Sequence, residues 1–199
     1  MRRLSILVAA FALGFAVMPA ATAHRTNMLE AEFGGFGFPT FDPAAVEERC
    51  PEGFMWIFNT VVLGGGMTSA EYDGPIEANP MGDPLVPDGQ HCSRWKQAEP
   101  TNPDKWYPGR VGAGMLTLPT TDGDLVVRYR GIFKFRGDLS IDPPEYLSKI
   151  WLIYRIDGDE STGVFAGARG VGLMRVTDKL ENGEPSFHNT MRGPIRFAD

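Results

Sequence analysis

Ser161-Thr162-Gly163-Val164-Phe165-Ala166-Gly167-Ala168-Arg169-Gly170-Val171-Gly172-Leu173-Met174-Arg175-Val176 follows an acidic turn, Asp157-Gly158-Asp159-Glu160, and decides how the rest of the chain is read. Glycine at 163, 167, 170 and 172 weakens an ordinary strand, because it adds backbone entropy and leaves no side chain to pack. Such density suits a strand that must coil sharply, as at the corner of a small closed barrel. The stretch argues for a fold and carries little chemistry.

The neighbouring segments agree. Lys149 to Ile156 reads as a strand, with Trp151, Ile153 and Arg155 on one face and Leu152, Tyr154 and Ile156 on the other. Asp124 to Arg136 alternates: Leu125, Val127, Tyr129, Phe133 and Phe135 share one face, Arg128, Arg130, Lys134 and Arg136 the other. Val111 to Leu118 is a further strand, and Asn182-Gly183 is a strong hairpin signal before a last strand, Phe187 to Phe197, interrupted at Gly193-Pro194. Phe54 to Leu63 is aromatic and β-branched, and Gly64-Gly65-Gly66 is read as a turn into a second strand, Met67 to Tyr72. Roughly seven or eight strands and no long helix predict an all-β chain, a single small antiparallel β-barrel.

The string Thr162-Gly163-Val164-Phe165-Ala166-Gly167-Ala168-Arg169-Gly170-Val171-Gly172 resembles the T-G-x-F-x-G-A-T-G-x-G signature of the allene-oxide-cyclase and dirigent-like barrel superfamily, in particular its small secreted bacterial members. Thr121-Asp122-Gly123-Asp124-Leu125 is similar to a turn and strand start in such chains, and Gly64-Gly65-Gly66-Met67-Thr68 to their first hairpin. Ser161 and Arg169 depart from the pattern, where glycine and threonine are usual. The resemblance spans Phe54 to Phe197 with long unmatched stretches. It implies an antiparallel barrel with an apolar interior and, by analogy, a homo-trimer. It transfers no site residue.

Arg2 and Arg3, the apolar run Leu4 to Met18, and Ala21-Thr22-Ala23 form the pattern of a secretory signal peptide, residues 1–23. The apolar run is too short for a comfortable membrane span. Losing Arg2 and Arg3 takes Lys+Arg from 19 to 17 against 25 Asp+Glu, so the formal charge goes from −6 to −8. That balance disfavours nucleic acid and anionic membrane surfaces as partners. Export to an oxidising compartment makes a Cys50–Cys92 bridge the expected use of the two cysteines. Closing a loop of that length contributes roughly 4 kcal/mol through loop entropy. The competing use, a metal held by Cys50, His91 and Cys92, has poor spacing and no fourth ligand.

Residues 24–52 read as an irregular arm because Phe33-Gly34-Gly35-Phe36-Gly37-Phe38-Pro39 mixes bulky aromatics with breakers. The arm either lays phenylalanines along the barrel domain, 53–199, or covers its mouth. It ends in a short helix capped by Asp42, with Pro43 first, delivering Cys50. Glu77 to Arg110 reads as one long proline-rich loop, pinned by Trp95 and Trp106, and is a lid candidate.

Chemical motifs are scarce. The glycines of 167–172 are spaced G-x-x-G-x-G and run into strand-like residues, which excludes the dinucleotide fingerprint. His24, His91 and His188 are scattered, so a copper site at an N-terminal His24 lacks an evident second ligand, and Asp157 to Glu160 has too few oxygens for calcium. No metal and no cofactor is therefore expected. The four cations of 128–136 form either a solvated outer wall paired across strands with carboxylates or a site for an anionic ligand. The remaining site is the barrel interior, with Glu71, Tyr72, Tyr129, Tyr154, Arg155 and Arg169 as candidate polar groups. Two functions follow as expectations: an exported barrel that binds a hydrophobic small molecule or a partner protein, or a cofactor-independent cyclase or isomerase that works by shape and one acid or base.

Overall fold

Nine antiparallel strands close on themselves in a ring in the computed structural model, which describes residues 27–40, 42–78, 87–95, 102–138 and 145–198. In chain order they are β1 (Asn27–Thr40), β2 (Trp56–Thr68), β3 (Asp73–Ile76), β4 (Gly89–Trp95), β5 (Tyr107–Thr120), β6 (Gly123–Asp138), β7 (Glu145–Ile156), β8 (Arg169–Glu181) and β9 (Glu184–Arg196), with one helix, α1 (Pro43–Arg49). The order around the ring is β1-β9-β8-β7-β6-β5, then β3 and β4 together, then β2, which pairs with β1 and closes the circle. The expected signal peptide, 1–23, lies outside the described residues, as does part of the proline-rich loop.

β3 and β4 share one place between β2 and β5. β4 pairs with Trp56 to Thr60 of β2 and with β5 from Gly109 to Leu116; β3 pairs with Gly65 to Thr68 of β2 and touches β5 at Thr120. Asp88 fills the gap between them. Its carboxylate accepts from Val62 N at 2.7 Å and its carbonyl accepts from Thr117 N at 2.8 Å, so backbone donors that a ladder would have used stay satisfied.

Three expectations are corrected. Residues 27–40 are not an irregular arm but strand β1, the element that closes the ring. Leu29, Ala31 and Phe33 point inward and Glu30 and Glu32 outward, and a register shift at Gly34/Gly35 absorbs the glycines. Second, Gly64-Gly65-Gly66 is no turn: β2 runs straight through it, paired with β1 on one side and β3 on the other. Third, the 77–110 segment is not one loop, since β4 and the start of β5 lie within it.

The deciding stretch divides. Arg169 onward is β8, but Ser161 to Ala168 leaves the sheet and makes a single 3₁₀ turn, Gly163–Phe165. Gly163 has φ +57°, and a Cβ there would collide with the Asp122 carbonyl. Ser161 Oγ accepts from Val126 N at 3.0 Å, and Thr162 Oγ1 from Asp124 N at 2.9 Å, which moor the loop to β6. The loop thereby drives Phe165, fully buried, into one end of the ring, where it meets Tyr72 at 5.1 Å and Phe197 at 6.0 Å. One end is stoppered and packed.

α1 behaves as its sequence predicts. Asp42 accepts from Ala44 N at 3.0 Å, Pro43 opens the helix, and Cys50 follows its last turn. Cys50 and Cys92 stand at disulfide distance, Sγ–Sγ 2.04 Å, clipping the helix to the outside of β4.

Candidate functional site

The end of the ring opposite Phe165 is hollow. A cavity of about 130 Å³ is bounded by Trp56 and Phe58 of β2, His91, Ser93 and Trp95 of β4, and Phe133 and Phe135 of β6. Pro39 of β1, Val111 of β5, Tyr146, Ser148 and Ile150 of β7 and Asp178 of β8 complete the wall. A second lobe of about 30 Å³ continues inward and adds Tyr129, Met174, Phe187 and Asn189. Phe58, His91, Ile150 and Asp178 belong to both lobes, so they mark the waist between them.

Period-two geometry puts these side chains inside. His91, Ser93 and Trp95 are alternate residues of β4; Tyr146, Ser148 and Ile150 are alternate residues of β7. Met174, Val176 and Asp178 follow the same rule on β8, and Phe187 and Asn189 on β9. The aromatic wall is continuous: Trp95 lies 4.2 Å from Trp56 and 4.5 Å from Phe135, ring centre to ring centre, and Phe58 stacks on His91 at 5.3 Å.

Against this apolar wall stand several polar groups. His91 Nδ1 and Tyr129 Oη share a hydrogen bond of 2.9 Å. Burial lowers the His91 pKa from 6.5 to about 3, so the ring is neutral, and burial likewise pushes the Tyr129 phenol up. Tyr146 Oη donates to Asp178 Oδ2 at 3.1 Å. Asp178 is 4% exposed; burial raises its carboxyl from 3.8 to about 7, against a smaller lowering by the Tyr146 hydrogen bond. The other carboxylate oxygen, Oδ1, has no partner among the described residues, and neither has Asn189 Oδ1. A buried acceptor left open costs about 1–3 kcal/mol unless something supplies a donor.

Of the six candidate residues, the structure brings only Tyr129 to this hollow. Tyr154 is fully buried further along the ring beneath Gly172 and Gly193, and burial raises its phenol to about 12. Tyr72 lies at the stoppered end, its hydroxyl donating to the Pro75 carbonyl at 2.9 Å. Glu71 is exposed beside it and accepts from Asn27 Nδ2 at 2.9 Å. Arg155 and Arg169 point outward. The polar groups that do converge, His91, Tyr146, Asp178 and Asn189, were missing from the candidates.

The cationic stripe of β6 faces outward, and its cross-strand neighbours are not carboxylates. Arg128 stands opposite Arg155, Arg130 opposite Ile153 and Lys134 opposite Lys149. Arg128 pairs with Asp157 beyond the strand end, and Lys134, Arg136 and Lys149 gather over the Trp106 ring at 4.6, 5.2 and 6.0 Å. Among the described residues no cluster of three or more His, Cys, Asp or Glu is placed to hold a metal, and no helix is long and apolar enough to cross a membrane. His24 lies outside the described residues.

Compared with models of protein families, with curated proteins and with solved structures, the chain matches none.

Proposed function

We propose that the protein binds a small, mainly apolar molecule in the hollow end of the ring. One observation carries the reading: an aromatic-walled cavity of about 130 Å³ and the lobe behind it hold buried polar atoms that have no partner among the described residues. An apolar cavity of about 150 Å³ accepts benzene, so this one suits a ligand built around a single ring or a short branched chain. A solvent-filled surface dent would not keep Asp178 and Asn189 at 4% exposure each. The disulfide-distance pair is compatible with a role outside the cytoplasm, which fits the signal-like start of the sequence.

Tryptophan emission tests the reading, because Trp56 and Trp95 both line the hollow. Titration with toluene is expected to give a saturable change. Val111→Phe, which fills the hollow from β5, is expected to abolish that change while the folded circular-dichroism spectrum persists. An unsaturable response in the wild type rejects the proposal.

A second reading, a cofactor-independent isomerase or cyclase, is favoured by the protonatable Asp178–Tyr146 pair at a mainly apolar site. It also agrees with the resemblance to allene-oxide-cyclase-like and dirigent-like barrels. Its mark is turnover of an apolar epoxide or enone that Asp178→Asn abolishes while toluene binding survives. Binding without turnover leaves the first reading alone.

A further inference from the structure

We propose that the hollow recognises an organic cation: a ring-sized molecule bearing a protonated amine, its charge set on the Asp178 carboxylate and its body against aromatic faces. This rests on the reading that the hollow binds a small molecule and adds the ligand's charge.

The inference follows from what the cavity wall contains and lacks. Among the described residues Asp178 is the one side chain in either lobe that ionises near neutral pH, and no described lysine or arginine lines them. An anionic ligand would meet an acid with no counter-ion. A purely apolar ligand would leave Asp178 Oδ1 and Asn189 Oδ1 without donors. An ammonium group supplies such donors, since it carries up to three N–H groups and the charge opposite to that of a carboxylate.

The aromatic wall has the matching property. Trp56, Phe58, Trp95, Phe133 and Phe135 surround the larger lobe, and ring faces carry the negative end of the aromatic quadrupole. The protein's own cations are kept from these faces: Arg128, Arg130, Arg136, Arg155 and Arg175 are all on the outside of the ring. An aromatic box with an acid at its waist and no internal cation is the arrangement that selects organic ammonium ions.

The titration of Asp178 supports the same conclusion. Burial penalises its charged form and raises its carboxyl to about 7. A bound ammonium would hold it ionised, so binding near neutral pH releases a proton. The other groups facing Asp178 are Tyr146 on β7, His91 on β4 and Tyr129 on β6. All three are neutral between pH 5 and 9, with His91 at about 3 and both phenols raised, so a pH dependence in that range belongs to Asp178.

Isothermal titration calorimetry with benzylamine, benzyl alcohol and toluene on the full-length protein tests the proposal. Benzylamine is expected to bind about tenfold or more tighter than toluene at pH 8, with benzyl alcohol between them. Its affinity should fall as pH drops from 8 to 6, whereas that of toluene should not. Asp178→Asn should remove both the preference of benzylamine over toluene and the pH dependence of that preference. If benzylamine binds no better than toluene, or its preference is the same at pH 6 and 8, the organic-cation proposal is overturned while the binding reading stands. If none of the three binds, the binding reading itself fails. The wild-type ligand and pH series decides the matter even where the variant does not fold.

Discussion

Asp178 and His91 face one hollow and carry opposite proton linkage. Asp178 has a folded-state pKa raised from 3.8 to about 7, so the folded protein holds a proton that the unfolded chain gives up. That contribution is fully present below 3.8 and is lost as pH rises through about 7, by an amount on the order of 4 kcal/mol. His91 is lowered from 6.5 to about 3, so its contribution is fully present above 6.5 and is lost as pH falls through about 3. Between roughly pH 4 and 6.5 the two slopes oppose each other and the net dependence is shallow. Asp178→Asn removes one of them. Urea unfolding from pH 4 to 8 is expected to show the variant gaining stability with pH across that window, and exceeding the wild type at pH 8 by about 1–4 kcal/mol. A wild type that grows steadily more stable to pH 8 contradicts the assignment of Asp178. The site was faintly legible at this scale. Tyr129 was found because β6 alternates so clearly. Asp178 lies four residues before the Asn182-Gly183 hairpin signal and draws no notice there, although continuing the alternation Met174, Val176 by one step points it inward. His91 was weighed only as a metal ligand, since its partner, Tyr129, is distant in sequence and only the ring brings them to 2.9 Å.

Among the elements, the segment from Ser161 to Ala168 has the largest consequence. Its glycines were read as allowing a strand to coil; in the structure Gly163 serves a tight turn and Phe165 is the part that packs. Composition alone does not separate the two, since a glycine-rich corner and a glycine-rich stopper use the same residue for the same freedom. Phe165→Ala is expected to cost about 3–5 kcal/mol, the range for emptying a fully enclosed phenylalanine site, read as a lowered urea midpoint. A loss under about 1 kcal/mol would mean that the stopper is not packed as described. β1 was hidden by a similar ambiguity. Glycine and proline among phenylalanines look like a loop, yet Leu29, Ala31 and Phe33 keep a strand's period, and bare Gly35 leaves room for the Phe187 ring.

At the scale of the whole molecule the ring has two unlike ends. One is filled by Tyr72, Phe165 and Phe197; the other encloses aromatic faces around a buried acid. The all-β class and most strand positions could be read from alternation, because period two survives wherever one face is buried. Closure was expected too, as a small barrel, but the strand that completes it could not be read, since β1 pairs with β9 across more than a hundred residues of chain. The hollow could not either: an empty volume is a property of nine strands together, with no residue of its own in the sequence. We propose that this hollow, and not the stoppered end or the outer wall, receives a small molecule. Crystals soaked with bromobenzene test it through the anomalous signal of bromine. The account predicts one strong peak inside the ring between Trp95, Phe135 and Asp178. An intact ring with no internal peak, or with its peak beside Phe165, would contradict it.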